Sequence, residues 1–381
     1  MIETLHVQGF KSLKDTKLTL RPFTVLIGPN DSGKSSILDA IRFLGRTREE
    51  ALEELGAKSM GELAWMGSAE RFGWNLTGSS SGDPYVYTLK MLTTSGHVFE
   101  ETIGVQGRSV ARVAQGNATL FDASGAESEG SVETPLLAAA RFRDARNQAR
   151  LELVRRALRS SRRYHFDTTA LRELQPIAES PVLSSRGHHL AAVLDRIVGE
   201  DRDAFAAIED TLRQLVPPLQ GISLRTVMID EKTPAKALDF VLKSNGSKVR
   251  IPAAQASEGA LLLTAYLALV YGDTPEILLI EEPENGLHPK RLKAVIQLFR
   301  DISTGKVGNR PRQVIVTTHN PILLNEAQPE EVRLVTRTLE GGTTVKNFDE
   351  LPDIKKHLDE FGIGELWYLL GEEGLLKGAT P

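Results

Sequence analysis

Gly28-Pro29-Asn30-Asp31-Ser32-Gly33-Lys34-Ser35 fits G-x-x-x-x-G-K-[ST] at every fixed position. Before it, Phe23 to Ile27 is an apolar run that reads as a buried strand. After it, Ile37, Leu38, Ile41 and Leu44 recur at helical spacing, so the segment lies between a strand and a helix. That context gives the spacing a physical reason. The loop can wrap a phosphate with successive backbone N–H groups, Gly33 permits close approach, and the following helix directs its positive N-terminus at the anion. Asn30, Asp31, Ser32, Gly33, Lys34, Ser35 and Ser36 are therefore expected to hold ATP. Lys34 should meet the β and γ phosphates, and the Ser35 hydroxyl should coordinate Mg²⁺.

A second half of the same chemistry stands far downstream. Ile277-Leu278-Leu279-Ile280 is an apolar strand ending in Glu281-Glu282, which places two carboxylates at the carboxyl end of a strand, where α/β sheets bind ligands. Glu281 is expected to hold Mg²⁺ and Glu282 to polarise the attacking water. A solvated acidic turn would explain the pair alone, but not its combination with Lys34.

The remaining pattern is α/β. Ile2, Leu5 and Val7 alternate with polar neighbours, Lys17 to Leu20 forms a second strand, and Tyr85 to Leu92 and Val98 to Ile103 suggest an antiparallel sheet. Gly116 to Pro135, rich in Gly, Ser and acidic residues, is expected to be an exposed loop. A helical insertion then runs to about Pro217, with apolar stripes Leu190, Val193, Leu194, Ile197 and Phe205, Ile208, Leu212, Leu215. Beyond it come strands at 222–229 and 238–242, helix 260–270, strand 277–280, helix 290–302 and strand 313–318. This alternation implies a mainly parallel sheet. The expected organisation is one ATPase lobe over 1–135, an inserted helical arm over 136–220, and a second lobe with closing helices over 221–381.

Composition bounds the function classes. Apolar residues make up 41% and charged residues 25% of the 381 residues, an ordinary globular balance. The net charge of −4 supplies no global attraction to nucleic acid or membrane. With no cysteine, thiolate metal sites, disulfides and cysteine nucleophiles are excluded. The N-terminus has no hydrophobic signal core, and the apolar run from Ala260 to Val270 falls short of the ~20 residues that span a bilayer. A soluble, cytoplasmic protein without a membrane partner is expected.

The two ends of the chain resemble the ABC ATPases of the RecF, SMC and OLD type. The resemblance rests on Gly9-Phe10-Lys11-Ser12, the phosphate loop, Ala256-Ser257-Glu258-Gly259, Glu281-Glu282-Pro283-Glu284-Asn285-Gly286-Leu287-His288-Pro289 and Thr317-Thr318-His319-Asn320-Pro321, in the family order. It implies a P-loop ABC-type head with an antiparallel β subdomain and an inserted helical arm, closing as a homodimer around ATP. Ser257 and Gly259 look like the signature motif, which contacts the γ-phosphate held by the opposite subunit. A small hydroxyl and a glycine at a helix N-terminus do form an anion site, though a plain helix cap reads the same way. Glu284 to His288 resembles the D-loop and His319 the γ-phosphate-sensing switch histidine. Lys11 resembles a basic residue near the nucleotide, and an ordinary structural lysine fits as well. Three features depart from the pattern: Glu281 stands where many relatives have Asp, Glu258 replaces the middle signature glycine, and no glutamine is placed in the Q-loop, Gln106 and Gln115 being merely available. About sixty residues follow His319, too few for the nuclease domain of OLD proteins, so a separate nuclease or effector protein is an expected partner.

From Arg141 to Arg163 nine arginines stand against Asp144 and Glu152, a local charge of +7. Arg155, Arg159 and Arg162 are expected on one helical face, as a solvated surface, a nucleic-acid contact or a contact to a protein partner. His188-His189 reads as local packing, since no cysteine or acidic neighbour completes a metal set. The leading expectation is an ATP-gated dimer acting on DNA in repair or defence. The alternatives are a transporter's nucleotide-binding subunit and an SMC-like clamp, for which extended heptads are missing.

Overall fold

The computed structural model describes residues 1–67, 69–121, 127–131, 134–139, 145–177, 181–244, 247–272, 275–308, 310–352, 354–358 and 360–377. Of the arginine run, Arg141, Arg143 and the neighbouring Asp144 lie outside the described residues. The chain divides into two compact units, one of Met1–Arg162, Glu276–Leu279 and Gln313–Pro381, the other of Arg163–Pro275 and Ile280–Arg312. The segment 136–220 is thus shared, up to Arg162 in the first unit and from Arg163 in the second. Besides its helices it carries the strand Ser161–Tyr164.

The first unit holds an eight-stranded antiparallel sheet, ordered Leu13–Thr19, Ile2–Phe10, Arg71–Ser80, Asp83–Leu92, Val98–Val105, Arg108–Ala114, Asn117–Phe121 and Glu127–Ser131. Three of its hairpins turn on two residues with positive φ: Ser81-Gly82, Gln106-Gly107 and Gln115-Gly116. This is the type I′ geometry whose twist matches the strands, and the glycine in each pair adopts it without strain. Gln106 and Gln115 are accordingly turn residues. The exposed loop expected from Gly116 to Pro135 is corrected here, because Asn117–Phe121 and Glu127–Ser131 pair as the last two strands. The Gln-Gly turn extends the ladder where composition alone suggested irregular chain.

Four further strands in this unit follow one another in the order Gln313–Thr318, Phe23–Ile27, Val332–Arg337 and Thr343–Asn347. The first two are parallel, with Thr318 beside Ile27, and Val332–Arg337 runs parallel on the other side of Phe23–Ile27. Both Phe23–Ile27 and Gln313–Thr318 are buried along their whole length, which is why neither shows the apolar and polar alternation of a strand with one solvated face. Phe10, Phe43, Phe72 and Trp74 form an aromatic cluster between helix Lys34–Phe43 and the antiparallel sheet, with Phe43 stacked on Trp74 at 4.6 Å. Each such fully buried ring contributes about 1.5–3 kcal/mol by area, so the helix that follows the phosphate loop is firmly seated.

The second unit combines helices Leu190–Glu200, Arg202–Leu215, Glu258–Tyr271 and Pro289–Thr304 with a three-stranded sheet, Leu219–Met228, Pro234–Ser244 and Ser247–Pro252. Helix Glu258–Tyr271 is buried at every position from Gly259 to Val270, as expected of a helix apolar on all sides. The expected face of Arg155, Arg159 and Arg162 is also corrected. The helix Ala145–Arg159 ends at Arg159, and Arg162 belongs to the strand Ser161–Tyr164.

Candidate functional site

In the first unit the phosphate loop joins strand Phe23–Ile27 to helix Lys34–Phe43. Asp31 and Gly33 both have positive φ, 64° and 109°, a curl that turns backbone N–H groups toward one side. The packing demands glycine twice. A Cβ on Gly28 would stand 2.1 Å from the carbonyl oxygen of Val335, and one on Gly33 would stand 2.0 Å from Oγ1 of Thr343. Asn30, Asp31 and Ser35 are exposed, while Ser36 is half-buried. The first turn of the helix carries no acidic residue that would neutralise its dipole. Lys34 is 9% exposed, and its Nζ donates to the carbonyls of Gly28 and Pro29 at 2.7 and 2.8 Å. These two carbonyls are neutral acceptors, which a phosphate oxygen, being charged, would outcompete. Ser32 Oγ is buried and makes no hydrogen bond among the described residues. An orphaned hydroxyl beside curled N–H groups fits an oxygen-rich anion such as a nucleotide phosphate.

His319 follows strand Gln313–Thr318 and is exposed. Because Thr318 pairs with Ile27 in parallel register, His319 leaves its strand beside the one that leads into the phosphate loop. Asn320 fixes this exit: its N–H donates to Thr318 Oγ1 at 2.9 Å, and its own Oδ1 accepts from Ile322 N. Lys11 is tied to helix Lys34–Phe43 by an ion pair with Asp39 at 2.6 Å, and Arg42 shares that carboxylate at 3.3 Å. Thr343, which the sequence reading did not single out, holds the loop from behind together with Ser12 of the opening motif. Thr343 Oγ1 donates to the Ser32 carbonyl at 2.9 Å and is hydrogen-bonded to Ser12 Oγ at 2.8 Å.

The second unit carries the acidic and signature segments. Glu281 is 11% exposed at the side chain and receives Arg163, whose Nε and Nη2 both reach Oε2, at 2.7 and 2.5 Å. Glu282 has φ of 44°, a left-handed conformation uncommon for a side chain of this size and concentrated at functional sites. Its Oε2 accepts from Asn285 Nδ2 at 3.0 Å, and its carbonyl accepts from Asn285 N at 3.0 Å, so the turn fixes the carboxylate's direction. A carboxylate such as that of Glu281 is the kind of oxygen donor that suits a hard divalent cation such as Mg²⁺.

Ser257 caps helix Glu258–Tyr271, its Oγ accepting from Ala260 N at 3.3 Å. Glu258 is turned aside: Oε1 accepts from Thr168 Oγ1 at 3.2 Å and lies 3.8 Å from the Arg172 guanidinium. A carboxylate where many relatives have glycine is thus neutralised by Arg172. It also sits in the first helical turn, where the dipole favours negative charge. A Cβ on Gly259 would meet Arg291 Cδ at 2.8 Å, and one on Gly286 would meet Glu258 Oε2 at 2.9 Å. The signature segment and the 284–288 turn therefore pack against each other without room for larger residues. Arg163, Arg172 and Arg291 escaped the sequence reading as contributors to these segments, since no spacing rule links them to the motifs.

The arginines expected to meet nucleic acid are partly engaged within the first unit. Arg155 donates to the Leu137 carbonyl at 2.7 Å and pairs with Glu152, and Arg159 pairs with Glu50. Together with Arg46, Glu54 and Arg162 they line a hollow of about 650 Å³.

The family described as "AAA domain, putative AbiEii toxin, Type IV TA system" matches residues 23–325. The chromosome partition protein Smc of Lactiplantibacillus plantarum is 39% identical over 72 residues, 18% of this chain and 6% of that protein. That of Methanococcus voltae is 47% identical over 53 residues, 13% of this chain and 4% of that protein. The chain thus matches only a small part of the length of these relatives. Among solved structures, an Smc head bound to the C-terminal winged-helix domain of ScpA superposes with a TM-score of 0.54 at 18% identity, covering 91% of this chain and 96% of that one. The Pyrococcus furiosus Smc head with an extended coiled coil, bound to the C-terminal domain of ScpA, gives 0.54 at 15% identity, covering 94% and 99%. The fold is that of an Smc ATPase head.

Proposed function

This chain belongs to that AAA-domain family of SMC-head-type ATPases, and from this membership we propose an enzyme that binds Mg·ATP, closes as a homodimer around it and acts on DNA in the cytoplasm, in repair or in defence against foreign DNA. The observation that carries the nucleotide reading is the curled loop, in which Lys34 donates to two neutral carbonyls and the buried Ser32 hydroxyl makes no hydrogen bond among the described residues. In this reading Lys34 and the loop amides grip the β and γ phosphates, and Ser35 and Glu281 are the residues that hold Mg²⁺. Magnesium, when bound, neutralises charge that develops on the phosphate oxygens. Glu282, oriented by Asn285, takes the proton of the attacking water, and His319 reports the γ-phosphate. Ser257 and Gly259 are offered to the nucleotide of a second copy, as the helix N-terminus they form can bind an anion.

The solved Smc heads are bound to domains of ScpA, which supports a protein partner for this chain as well, here a nuclease or other effector. An SMC-like clamp is the second reading and draws on the Smc matches. Against it, the longest helix among the described residues is the 16-residue Pro289–Thr304, far short of a coiled-coil arm. No helix among the described residues is long and apolar enough to cross a membrane, which offers a transporter reading no membrane segment of its own.

Two variants test the proposal together. Lys34→Ala should abolish tight ATP binding, whereas Glu282→Gln should bind ATP, hydrolyse it at least about a hundredfold more slowly and accumulate as a dimer on light scattering in ATP and Mg²⁺. Normal turnover in either variant, or a Glu282→Gln protein that stays monomeric in ATP, overturns it.

A further inference from the structure

Arg163 and Glu281 form an ion pair at the acidic turn in the second unit. Ser161–Tyr164 and Ile277–Glu281 are neighbours in sheet order, so the arginine is delivered by strand backbone and not by a mobile loop. Its Nε and Nη2 converge on one oxygen, Oε2, at 2.7 and 2.5 Å. The side chains are 29% and 11% exposed, so water screens the pair only in part. A carboxylate this enclosed is costly to keep charged without a cation beside it. The guanidinium of Arg163 is that cation. It also stands in for a cation at the oxygen to which the proposed ATPase reading gives Mg²⁺.

We propose that Arg163 is the resident counter-ion of Glu281, a positioning residue that occupies and aims the carboxylate in the metal-free protein and is exchanged for the divalent cation when metal and nucleotide bind. The inference rests on the ATPase reading for the role of Glu281. The arginine and the metal compete for the shared oxygen Oε2, so the protein with Arg163 binds metal more weakly than one without it.

The test is nucleotide-dependent Mn²⁺ binding, followed by electron paramagnetic resonance on the full chain with ADP present. Removing a competing cation from a partly enclosed carboxylate should tighten Mn²⁺ binding in Arg163→Gln by about three- to tenfold. Arg163→Lys, which keeps the charge but cannot bring two donors to one oxygen, should tighten it by less. Melting curves of both variants accompany the titration. If Arg163→Gln fails to fold, Arg163→Lys decides the matter, and tightening there still supports the exchange. Unchanged or weakened Mn²⁺ affinity in a folded variant overturns the exchange and leaves the ATPase reading intact. Absence of nucleotide-dependent Mn²⁺ binding in the parent protein overturns both.

Discussion

Thr343 Oγ1 occupies the space that any side chain on Gly33 would need, 2.0 Å from where its Cβ would stand. The same hydroxyl donates to the carbonyl of Ser32 at 2.9 Å and is hydrogen-bonded to Ser12 Oγ at 2.8 Å, while Thr343 N donates to the Ser12 carbonyl at 2.9 Å. The phosphate loop is thus clasped from behind by residues from both ends of the chain. Thr343→Val keeps the shape and removes the hydroxyl, leaving the buried Ser32 carbonyl short of a donor at about 1–3 kcal/mol. It should weaken ATP binding about three- to tenfold in a calorimetric titration, and Thr343→Ser should restore it. Gly33→Ala should be worse than either, since φ of 109° and the clash act together. Parental affinity in Thr343→Val would show that the clasp does not order the loop.

Ser257 is both a helix cap and, in the proposed dimer, a contact to the second copy. As a cap it contributes about 1 kcal/mol, a loss that Ser257→Arg should show as a slightly lower melting temperature. In a Glu282→Gln background the arginine should also abolish the ATP-dependent dimer on light scattering, with ATP affinity of the monomer unchanged. A dimer that survives would return Ser257 to capping alone.

Glu101 makes the stability of the first unit depend on pH. It is fully buried and accepts the N–H groups of Leu136 and Leu137 at 2.6 and 3.1 Å and the Tyr87 hydroxyl at 2.9 Å. Burial nevertheless dominates and pushes its carboxyl up to about 7 from the ordinary 4.5, those hydrogen bonds opposing the shift only in part. The folded state therefore binds the proton more tightly than the unfolded state. The contribution of Glu101 to stability is fully present below about pH 4.5, is lost as pH rises toward 7 and is level above it, a loss of about 3 kcal/mol across the window. Glu101→Gln, uncharged throughout, should lack this component in urea unfolding between pH 5 and 8. Parallel profiles for parent and variant would remove Glu101 from the pH dependence.

Of the three arginines proposed to meet DNA, Arg155 and Arg159 are already paired with glutamates, whereas Arg162 is exposed on a strand. Each phosphate contact on duplex contributes about −0.9 to the logarithmic salt slope. Arg162→Gln should flatten the slope of DNA affinity by about one unit. Gln at 155 and 159 should add less, because those guanidinium groups must first leave Glu152 and Glu50. An unaltered slope in the triple variant, measured across several salt concentrations, assigns these residues to the protein surface alone.

The strands and helices around the motifs were legible because their signals are local. Phe23–Ile27 is apolar at four of its five positions and helix Pro289–Thr304 has an amphipathic period, so each declares itself within a few residues. The paired strands of 117–131 were not legible. Their composition is that of a loop, and only the positive-φ Gln115-Gly116 turn and the neighbouring strand make them a ladder. The misplaced face of Arg162 has a similar origin, since helical spacing continues past Arg159 in the sequence while the backbone does not.

By itself the sequence determined the chemistry on offer: a glycine-rich loop between strand and helix, two carboxylates at a strand's end, a hydroxyl and a glycine at a helix start, and a histidine after a buried strand. Each depends on spacing along the chain, and spacing is what a sequence records. Only the tertiary structure decided which distant groups act on them: Thr343 behind Gly33, Arg163 on Glu281, Arg172 beside Glu258 and Glu101 on the amides of Leu136 and Leu137. Such partners meet across tens to hundreds of residues through single hydrogen bonds or ion pairs. A contact of that kind imposes no period and no fixed spacing on the chain, so it becomes visible only when the backbone brings the two groups within a few ångströms.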